Sequence, residues 1–313
     1  MRRSSRCSKS PMPEPVALLG LDELVAEHVQ DGQQLFVGGF AFSDPIALAH
    51  EIVRQERRDL EILKTSGGLL VDMLVGAGCV RRLLFCHVWN SVGPQPAHAF
   101  RRAVEEGVPH PVEVDELSYG SFAMGLAAGA WGLPFLPTTP MSGAGHFEVR
   151  RTWPDKLGTV PSPFGGEPVT VVKAIRPRLG IFHVQRIDRY GNAQMFGPTA
   201  EIRMAIAACD RVFVIAEEIV EPEVIRSRPE LTVAPGFLVE AAVVEPWSAH
   251  PTDCSGYYVR DLDHHDLYGA ATRTPEGFDA YLREWVYGTG SHKGYRDRLG
   301  EETRAALTLR GAW

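Results

Sequence analysis

The chain has 313 residues, of which 44% are hydrophobic and 23% are charged. This composition fits a large folded domain and excludes a disordered or membrane-embedded chain. The net charge of −7 disfavours general nucleic-acid binding, which requires a basic surface, and no apolar run reaches the roughly 20 residues of a membrane-spanning helix.

Residues 1–17 are basic and polar, and no apolar stretch follows the paired arginines Arg2 and Arg3. We interpret this segment as a disordered tail, because an export signal requires such a stretch. The five cysteines are scattered and include no C-x-x-C pair, which indicates reduced thiols and a cytoplasmic location. The remaining residues, 18–313, are expected to form a single domain.

Strand and helix patterns alternate through the first half of the chain. Apolar residues three or four positions apart indicate the helices, several of which end at a glycine, and short apolar runs indicate the strands. In chain order, the predicted elements are helix 21–29, strand 35–40, helix 45–53, strand 60–65, helix 69–78, strand 80–88, helix 97–107, strand 112–116 and helix 121–131.

A second alternation follows a segment, 134–168, that contains seven prolines and is predicted to be irregular. The predicted strands of this half are 169–175, 179–185, 211–218 and 238–246, and its predicted helices are 198–208 and 275–287. Alternating strands and helices are typical of βαβ units. The sequence therefore predicts an α/β fold with a mostly parallel sheet flanked by helices.

Glycines follow three of the predicted strands. They occur in Gly38-Gly39, in Ser66-Gly67-Gly68 and in Gly191-Asn192. Ligands of parallel α/β sheets bind beyond the carboxyl ends of the strands, where glycine allows positive φ and a close approach of backbone N–H groups. Each stretch alone is more typical of a tight turn, but their shared position predicts one ligand site.

The segment DGQQLFVGGF, residues 31–40, resembles the signature of class I coenzyme A transferases, in which Asp-Gly or Asn-Gly precedes an apolar triplet and Gly-Gly-Phe. Further segments resemble, in order, the alpha subunit of glutaconate CoA-transferase and its relatives: LKTSGGLLVDMLVGAGCVRRLLF, FRRAVEEG, VEVDELS, AAGAWGLPFLPT, HVQRIDRYGNAQMFG, CDRVFVIAEEIV and EPWSAHPTDCSGYY. This resemblance covers about residues 18–290. It implies the α/β fold shared with ribose-5-phosphate isomerase and glucosamine-6-phosphate deaminase.

The resemblance also implies an acyl-CoA thioester as the substrate, with no separate cofactor and no metal. The loop of Gly38, Gly39 and Phe40 would then supply backbone donors for the thioester carbonyl or walls for the acyl group. Ser142 lies where relatives have a substrate-contacting loop. The loop after Phe40 departs from the family pattern, because it is one residue shorter and lacks the glycine of a Gly-x-Pro sequence.

Members of this family carry a catalytic glutamate in a Ser-Glu-Asn-Gly motif on the beta subunit or beta half, and these 313 residues contain no such motif. The resemblance therefore implies an alpha subunit that works with a separate beta subunit in a heterodimer or heterotetramer. Neither nucleic acid nor a membrane is an expected partner.

Glu116 is the candidate catalytic residue within this chain. It ends the predicted strand 112–116, where active-site groups of parallel sheets collect. The related hydrolase subunit that opens a steroid-derived ring has a catalytic glutamate in a similar Asp-Glu dipeptide, and the resemblance places Glu116 at that position. The alternative is a carboxylate that only stabilises the start of the following helix.

Other polar side chains have structural interpretations. His264 and His265, with three neighbouring aspartates, have the composition of a metal cluster, but adjacent histidines in a polar loop point apart, so we predict a solvated loop. For Glu217 and Glu218, which end a strand, the open alternatives are a place in the cleft for one and a subunit contact for the other. The residues expected to be structural are His250, Cys79, Cys86 and Cys254.

The function predicted from these residues is that of an alpha subunit of a heteromeric CoA transferase for a short-chain or dicarboxylic acyl-CoA. Two alternatives remain on the same fold, hydrolysis of a cyclic β-keto acyl-CoA and decarboxylation of an acyl-CoA, with Glu116 as the acid or base. A third alternative is a non-catalytic regulatory subunit. The sequence of the beta subunit would separate these alternatives.

Overall fold

The computed structural model describes residues 14–90, 96–139 and 156–309. The strands are β1 Ala17–Leu19, β2 Gln34–Val37, β3 Leu60–Gly67, β4 Val80–Val88, β5 Glu113–Glu116, β6 Phe135–Pro137, β7 Leu157–Val160, β8 Val169–Lys173, β9 Leu179–Asp188, β10 Ala193–Gln194, β11 Arg211–Val220, β12 Thr232–Ala234 and β13 Ala241–Val244. The helices are α1 Leu21–His28, α2 Ile46–Arg54, α3 Leu69–Gly76, α4 His98–Glu105, α5 Tyr119–Ala130, α6 Ile202–Ala208, α7 Pro222–Ser227, α8 Leu262–Ala271, α9 Pro275–Tyr281, α10 His292–Leu299 and α11 Glu301–Leu307.

The main sheet confirms the predicted fold class. Its strands lie in the order β1-β13-β11-β9-β2-β3-β4-β5, and each neighbouring pair in this order is parallel. The short strands β10 and β12 add to it by antiparallel pairing next to β9. The carboxyl ends of β2, β3, β4 and β5 therefore lie side by side at one edge.

Alternate residues of the central strands enter two cores on opposite faces of the sheet. On β2, Leu35 and Val37 belong to the first core, which contains residues of α1, α2, α3 and α9, whereas Phe36 belongs to the second core with residues of α5 and α6. On β3, Ile62 lies in the first core and Leu63 in the second. A strand buried on both faces needs apolar residues in succession, which explains its continuous apolar runs.

The segment 169–175 corrects one prediction, because it is not a strand of the main sheet. It forms β8, which pairs antiparallel with β6 and β7 in a separate three-stranded sheet. The segment 134–168 therefore contributes short strands in its described part, and these are too short to show a periodic pattern. This small sheet approaches α5 closely where the Ile175 N–H donates to the Gly125 carbonyl at 2.8 Å.

His264 and His265 correct a second prediction, because they lie in helix α8 and not in a solvated loop. The carboxylate of Asp261 caps this helix by accepting from the His264 N–H at 2.9 Å. Both imidazoles are buried, with exposed fractions of 5% and 0%. The local sequence is polar because His264 meets its partner, the Tyr281 hydroxyl, inside the protein at 2.9 Å.

Within the described ranges, none of the helices is both long enough and apolar enough to cross a bilayer.

Candidate active site

The loop after β2 is closed onto a buried lysine. Lys64 Nζ donates to the carbonyl oxygens of Gly38 at 2.7 Å and Gly39 at 2.9 Å, and it lies 2.9 Å from Asp44 Oδ1. The Lys64 side chain has no exposed surface. The loop therefore turns its carbonyl groups towards the protein interior, and the ammonium fixes its conformation.

Packing and backbone geometry account for both glycines of this loop. Gly39 has a φ of +91°, and a Cβ added there would lie 2.2 Å from Asp44 Oδ1 and 2.7 Å from Asp44 Cα. A Cβ on Gly38 would lie 2.7 Å from Phe182 Cδ1. The N–H of Gly38 donates to Ile181, and that of Phe40 donates to Phe42. These two donors are thus already used within the protein, and the part of the loop that reaches the site is the Phe40 ring.

Ser66, His87 and Glu116 lie on one face of the sheet at the ends of β3, β4 and β5. Ser66 is paired with His87 across β3 and β4, and Phe85 is paired with Glu116 across β4 and β5. Ser66 Oγ and His87 Nε2 are 2.8 Å apart. Because residues two apart on a strand share a face, His87 and Glu116 both follow the first-core side of β4 and β5.

His87 is electrostatically linked to Glu116. Burial lowers the pKa of His87, and the Glu116 carboxylate opposes this shift by raising the pKa. The dominant effect of burial keeps the imidazole neutral at pH 7. A neutral imidazole offers one donor and one acceptor, which is the property needed in a short hydrogen-bonded chain.

Aromatic side chains border this polar group. The Phe40 ring lies edge-on to His87 at 6.2 Å between centroids and edge-on to Tyr119 at 5.6 Å. Trp89 lies 6.2 Å from His87 on its other side, and 51% of its surface is exposed. The site thus combines a carboxylate and an imidazole with apolar walls that would suit an acyl chain.

Glu201, on the loop before α6, supports the Tyr119 side of the site. One of its carboxylate oxygens accepts from the Thr65 hydroxyl, and the other accepts from the Tyr119 hydroxyl at 3.3 Å. Burial first, and then the nearby Glu201 charge, raises the pKa of Tyr119 to about 12. Tyr119 therefore stays protonated at neutral pH and holds a fixed position beside Phe40.

Gly67 and Gly68 connect β3 to α3 directly behind Ser66. The Gly67 carbonyl accepts from the Trp89 N–H at 3.1 Å, and a Cβ on Gly67 would lie 2.9 Å from Val88 Cγ2. Gly68 has more space, since the nearest atom to an added Cβ would be the Trp89 carbonyl oxygen at 3.7 Å. The predicted residues Phe40, Ser66, Gly67, Gly68 and Glu116 thus lie together.

Gly191 and Asn192 lie in the turn between β9 and β10, apart from this group. Gly191 has a φ of +85°, and Asn192 Oδ1 accepts from the Gly236 N–H at 2.9 Å. Asn192 Nδ2 also donates to Asp188 Oδ2 at 2.9 Å. These contacts explain both residues by the turn itself, so their predicted ligand contact gains no support from geometry. Ser142 lies outside the described residues.

Glu217 joins a buried network beneath the loop. Its Oε1 accepts from the Tyr258 hydroxyl at 2.7 Å and lies 2.8 Å from His183 Nε2, while its Oε2 accepts from the Trp247 N–H at 2.6 Å. His183, Glu217 and Cys254 bring metal-binding atoms within 4.8 Å of one another. Burial raises the pKa of the Cys254 thiol far above its usual value, so the thiol stays protonated. We therefore interpret this cluster as a hydrogen-bonded network.

Sequence reasoning did not select His87, Tyr119, Trp89 or Glu201. His87 has a signal in hindsight, because it lies two positions beyond the core residue Phe85 at the end of a strand. Glu201 has no local signal, because its partner Thr65 is 136 residues away.

Comparison with known proteins gives a family for this site. The family model described as "Coenzyme A transferase" matches residues 19–245. The chain is 33% identical over 284 residues to the first of the subunits of 3-oxoadipate CoA-transferase from Pseudomonas knackmussii, covering 91% of this chain and 98% of the relative. It is 28% identical over 280 residues to the cholesterol ring-cleaving hydrolase IpdA subunit of Rhodococcus jostii, covering 87% and 92%.

Solved structures agree with the sequence relatives. The crystal structure of glutaconate coenzyme A-transferase from Acidaminococcus fermentans superposes with a TM-score of 0.86 at 31% identity, covering 94% of this chain and 96% of that chain. The crystal structure of a variant of the decarboxylase AibA/AibB superposes with a TM-score of 0.73 at 30% identity, covering 86% and 99%. The family match, the near full-length identity and the fold agree: this chain belongs to the coenzyme A transferase family and is an alpha subunit of the glutaconate and 3-oxoadipate CoA-transferase type.

Proposed function

We propose that this chain works with a second subunit to transfer coenzyme A between short dicarboxylic acids. The observation that carries the proposal is the near full-length similarity to subunits whose names specify glutaconate and 3-oxoadipate, both of which are short dicarboxylates. The aromatic border of Phe40, Trp89 and Tyr119 supports it by providing walls for a short acyl chain.

The proposed reaction uses coenzyme A only as part of the substrate, with no resident cofactor. In the first step, the thioester carbonyl is attacked by a carboxylate of the second subunit, and the CoA thiolate leaves as an acyl anhydride forms. The thiolate then attacks the enzyme carbonyl of the anhydride, which releases the acid and leaves an enzyme thioester. The reverse sequence with another acid completes the transfer. In this scheme the described site binds and orients the acyl group.

The test is to co-express the chain with its second subunit, to purify the complex and to incubate it with acetyl-CoA and either glutaconate or 3-oxoadipate. Mass spectrometry should detect the corresponding dicarboxylic acyl-CoA together with free acetate. The chain purified alone serves as the control and should form no product. Equal transfer by the isolated chain would contradict the need for a second subunit.

Hydrolysis or decarboxylation of an acyl-CoA is a second candidate function. The position of Glu116 at the strand-end site, beside His87, favours it, because a carboxylate there is suited to acid–base work. The same incubation separates the functions. Release of free CoA with oxygen from labelled water in the acid indicates hydrolysis, and release of carbon dioxide with retention of the thioester indicates decarboxylation.

A further inference from the structure

His87 lies at the centre of the candidate site, and the proposed function gives it no role. Ser66 Oγ holds its Nε2 at 2.8 Å, while the Phe40 and Trp89 rings lie on two sides at 6.2 Å. An imidazole restrained by one hydrogen bond and two ring contacts has a defined orientation. Its second nitrogen, Nδ1, is therefore directed by the protein.

The position of Glu116 brings its carboxylate within reach of this imidazole. Glu116 is paired with Phe85 on the neighbouring strand, so it lies one step of two residues, or about 7 Å along the strand, before His87 on the same face. Diagonal neighbours at this spacing are within reach of long side chains. The carboxylate of Glu116 also raises the pKa of His87 against the larger effect of burial, which shows that the two groups interact.

The chemistry of the three groups favours one proton arrangement. A carboxylate can only accept a hydrogen bond, whereas a hydroxyl can donate or accept and a neutral imidazole has one donor and one acceptor. All three groups are used if the Ser66 hydroxyl donates to Nε2 and the imidazole carries its proton on Nδ1. The Ser66 side is shielded, because Ser66 is only 1% exposed.

We propose that His87 is a positioning residue that holds the Glu116 carboxylate towards the acyl-CoA through its Nδ1–H, while Ser66 fixes the tautomer. The proposal rests on the proposed function in one respect, namely that Glu116 faces an acyl-CoA. A purely structural role would instead make the contact between Ser66 and His87 a link between β3 and β4, with no dependence on Glu116.

Two substitutions of His87 separate its two nitrogens. His87→Gln keeps a polar group near the Nε2 position, facing Ser66, and loses the donor at Nδ1. His87→Asn keeps a donor near Nδ1 and loses the contact with Ser66. In the complex with the second subunit, we expect His87→Gln to lower kcat roughly 10-fold, with a KM for the acyl-CoA probe within about 3-fold of the original, and His87→Asn to retain more of the activity.

A double-mutant cycle tests whether His87 acts through Glu116. If it does, His87→Gln causes little further loss of kcat in a Glu116→Gln background, because the interaction is already gone. Independent losses that multiply would overturn the proposal. His98→Gln, at the start of α4, is the matched control and should leave kcat unchanged. Melting temperatures of all variants show whether a loss of activity is a loss of folding.

A tautomer measurement decides the proposal even if the complex has no activity with the chosen acyl-CoA. In a long-range nitrogen–proton NMR spectrum of the full chain labelled at histidine, the His87 signals are identified by their absence in His87→Gln. We expect Nε2 to be the unprotonated nitrogen and Ser66→Ala to weaken this preference. A proton on Nε2 in the unmodified chain overturns the proposal, whereas inactivity towards every probe counts only against the proposed function.

Discussion

Lys64 Nζ lies 2.9 Å from Asp44 Oδ1, and the two side chains are 0% and 1% exposed. This pair joins the middle of β3 to the residue before Pro45 and α2, and the same ammonium holds two carbonyl groups of the glycine loop. Burial, the largest effect, raises the pKa of Asp44, and Lys64 acts against it. The pair therefore depends on both of its members.

Lys64→Met should destabilise the chain by about 3–5 kcal/mol, because it leaves a buried carboxylate and two buried carbonyl groups without their donor. Urea unfolding followed by circular dichroism measures the change. The double variant Lys64→Met with Asp44→Asn should lose less than the sum of the two single variants, since the uncompensated charge is gone. Additive losses would indicate that the pair does not interact strongly.

Gly39→Ala should lower both stability and activity. The added Cβ would overlap the Asp44 backbone, and the φ of +91° is unfavourable for alanine. We expect a loss larger than about 1 kcal/mol in urea unfolding. Gly120→Ala is the matched control, because Gly120 lies in α5 and nothing is within 4 Å of its added Cβ. This control should raise stability by up to about 1 kcal/mol.

Glu116→Gln should lower kcat of the complex by roughly 10- to 100-fold while acyl-CoA binding changes little. The substitution retains the shape of the side chain and removes its charge. Under the proposed transfer reaction, borohydride treatment after loading with acyl-CoA should still trap a modified glutamate on the second subunit. By contrast, a loss well beyond 100-fold without a trapped intermediate would favour hydrolysis with Glu116 as the acid or base.

Buried histidines should make the chain sensitive to acid. Burial lowers the pKa of His264 and His292 to about 3 and that of His265 to about 4. These groups stay neutral in the folded chain but take up protons in the unfolded chain below its pKa of about 6.5. Their contribution to stability is therefore present above pH 6.5 and is lost as the pH falls towards 4.

The expected slope is about 1.4 kcal/mol of unfolding free energy per pH unit for each of these histidines near pH 5. Urea unfolding between pH 5 and pH 8 measures it. His265→Leu is an informative variant, because neither ring nitrogen of His265 has a hydrogen-bond partner among the described residues. This variant should remove about one third of the slope due to these three histidines. An unchanged slope would show that His265 does not contribute.

The order of strands and helices in the first half was predictable because each parallel strand is buried on both faces and connects to the next through one helix. The sheet order was not, because the position of β9 beside β2 depends on pairing across more than 140 residues, such as Val37 with Ile181. The small sheet around β8 was missed for the same reason. Local periodicity contains no information about distant pairing.

The candidate site was predictable only in part. Glu116 and the Ser66-Gly67-Gly68 stretch were found because strand ends can be located from the sequence. His87 was missed because its importance depends on register, which places it opposite Ser66 on the neighbouring strand. His264 and His265 were placed in a loop because hydrogen bonds that satisfy buried polar groups are formed with residues distant in sequence.

The contacts of Lys64 have a consequence for the entropy of ligand binding. A loop that is already closed onto a buried ammonium has lost its conformational freedom during folding, at a cost of about 1–2 kcal/mol for each ordered residue. Binding an acyl-CoA against the Phe40 ring then requires little further ordering of that loop. A substitution in the middle of β3, far from any ligand, would consequently weaken acyl-CoA affinity by returning that freedom to the unliganded protein.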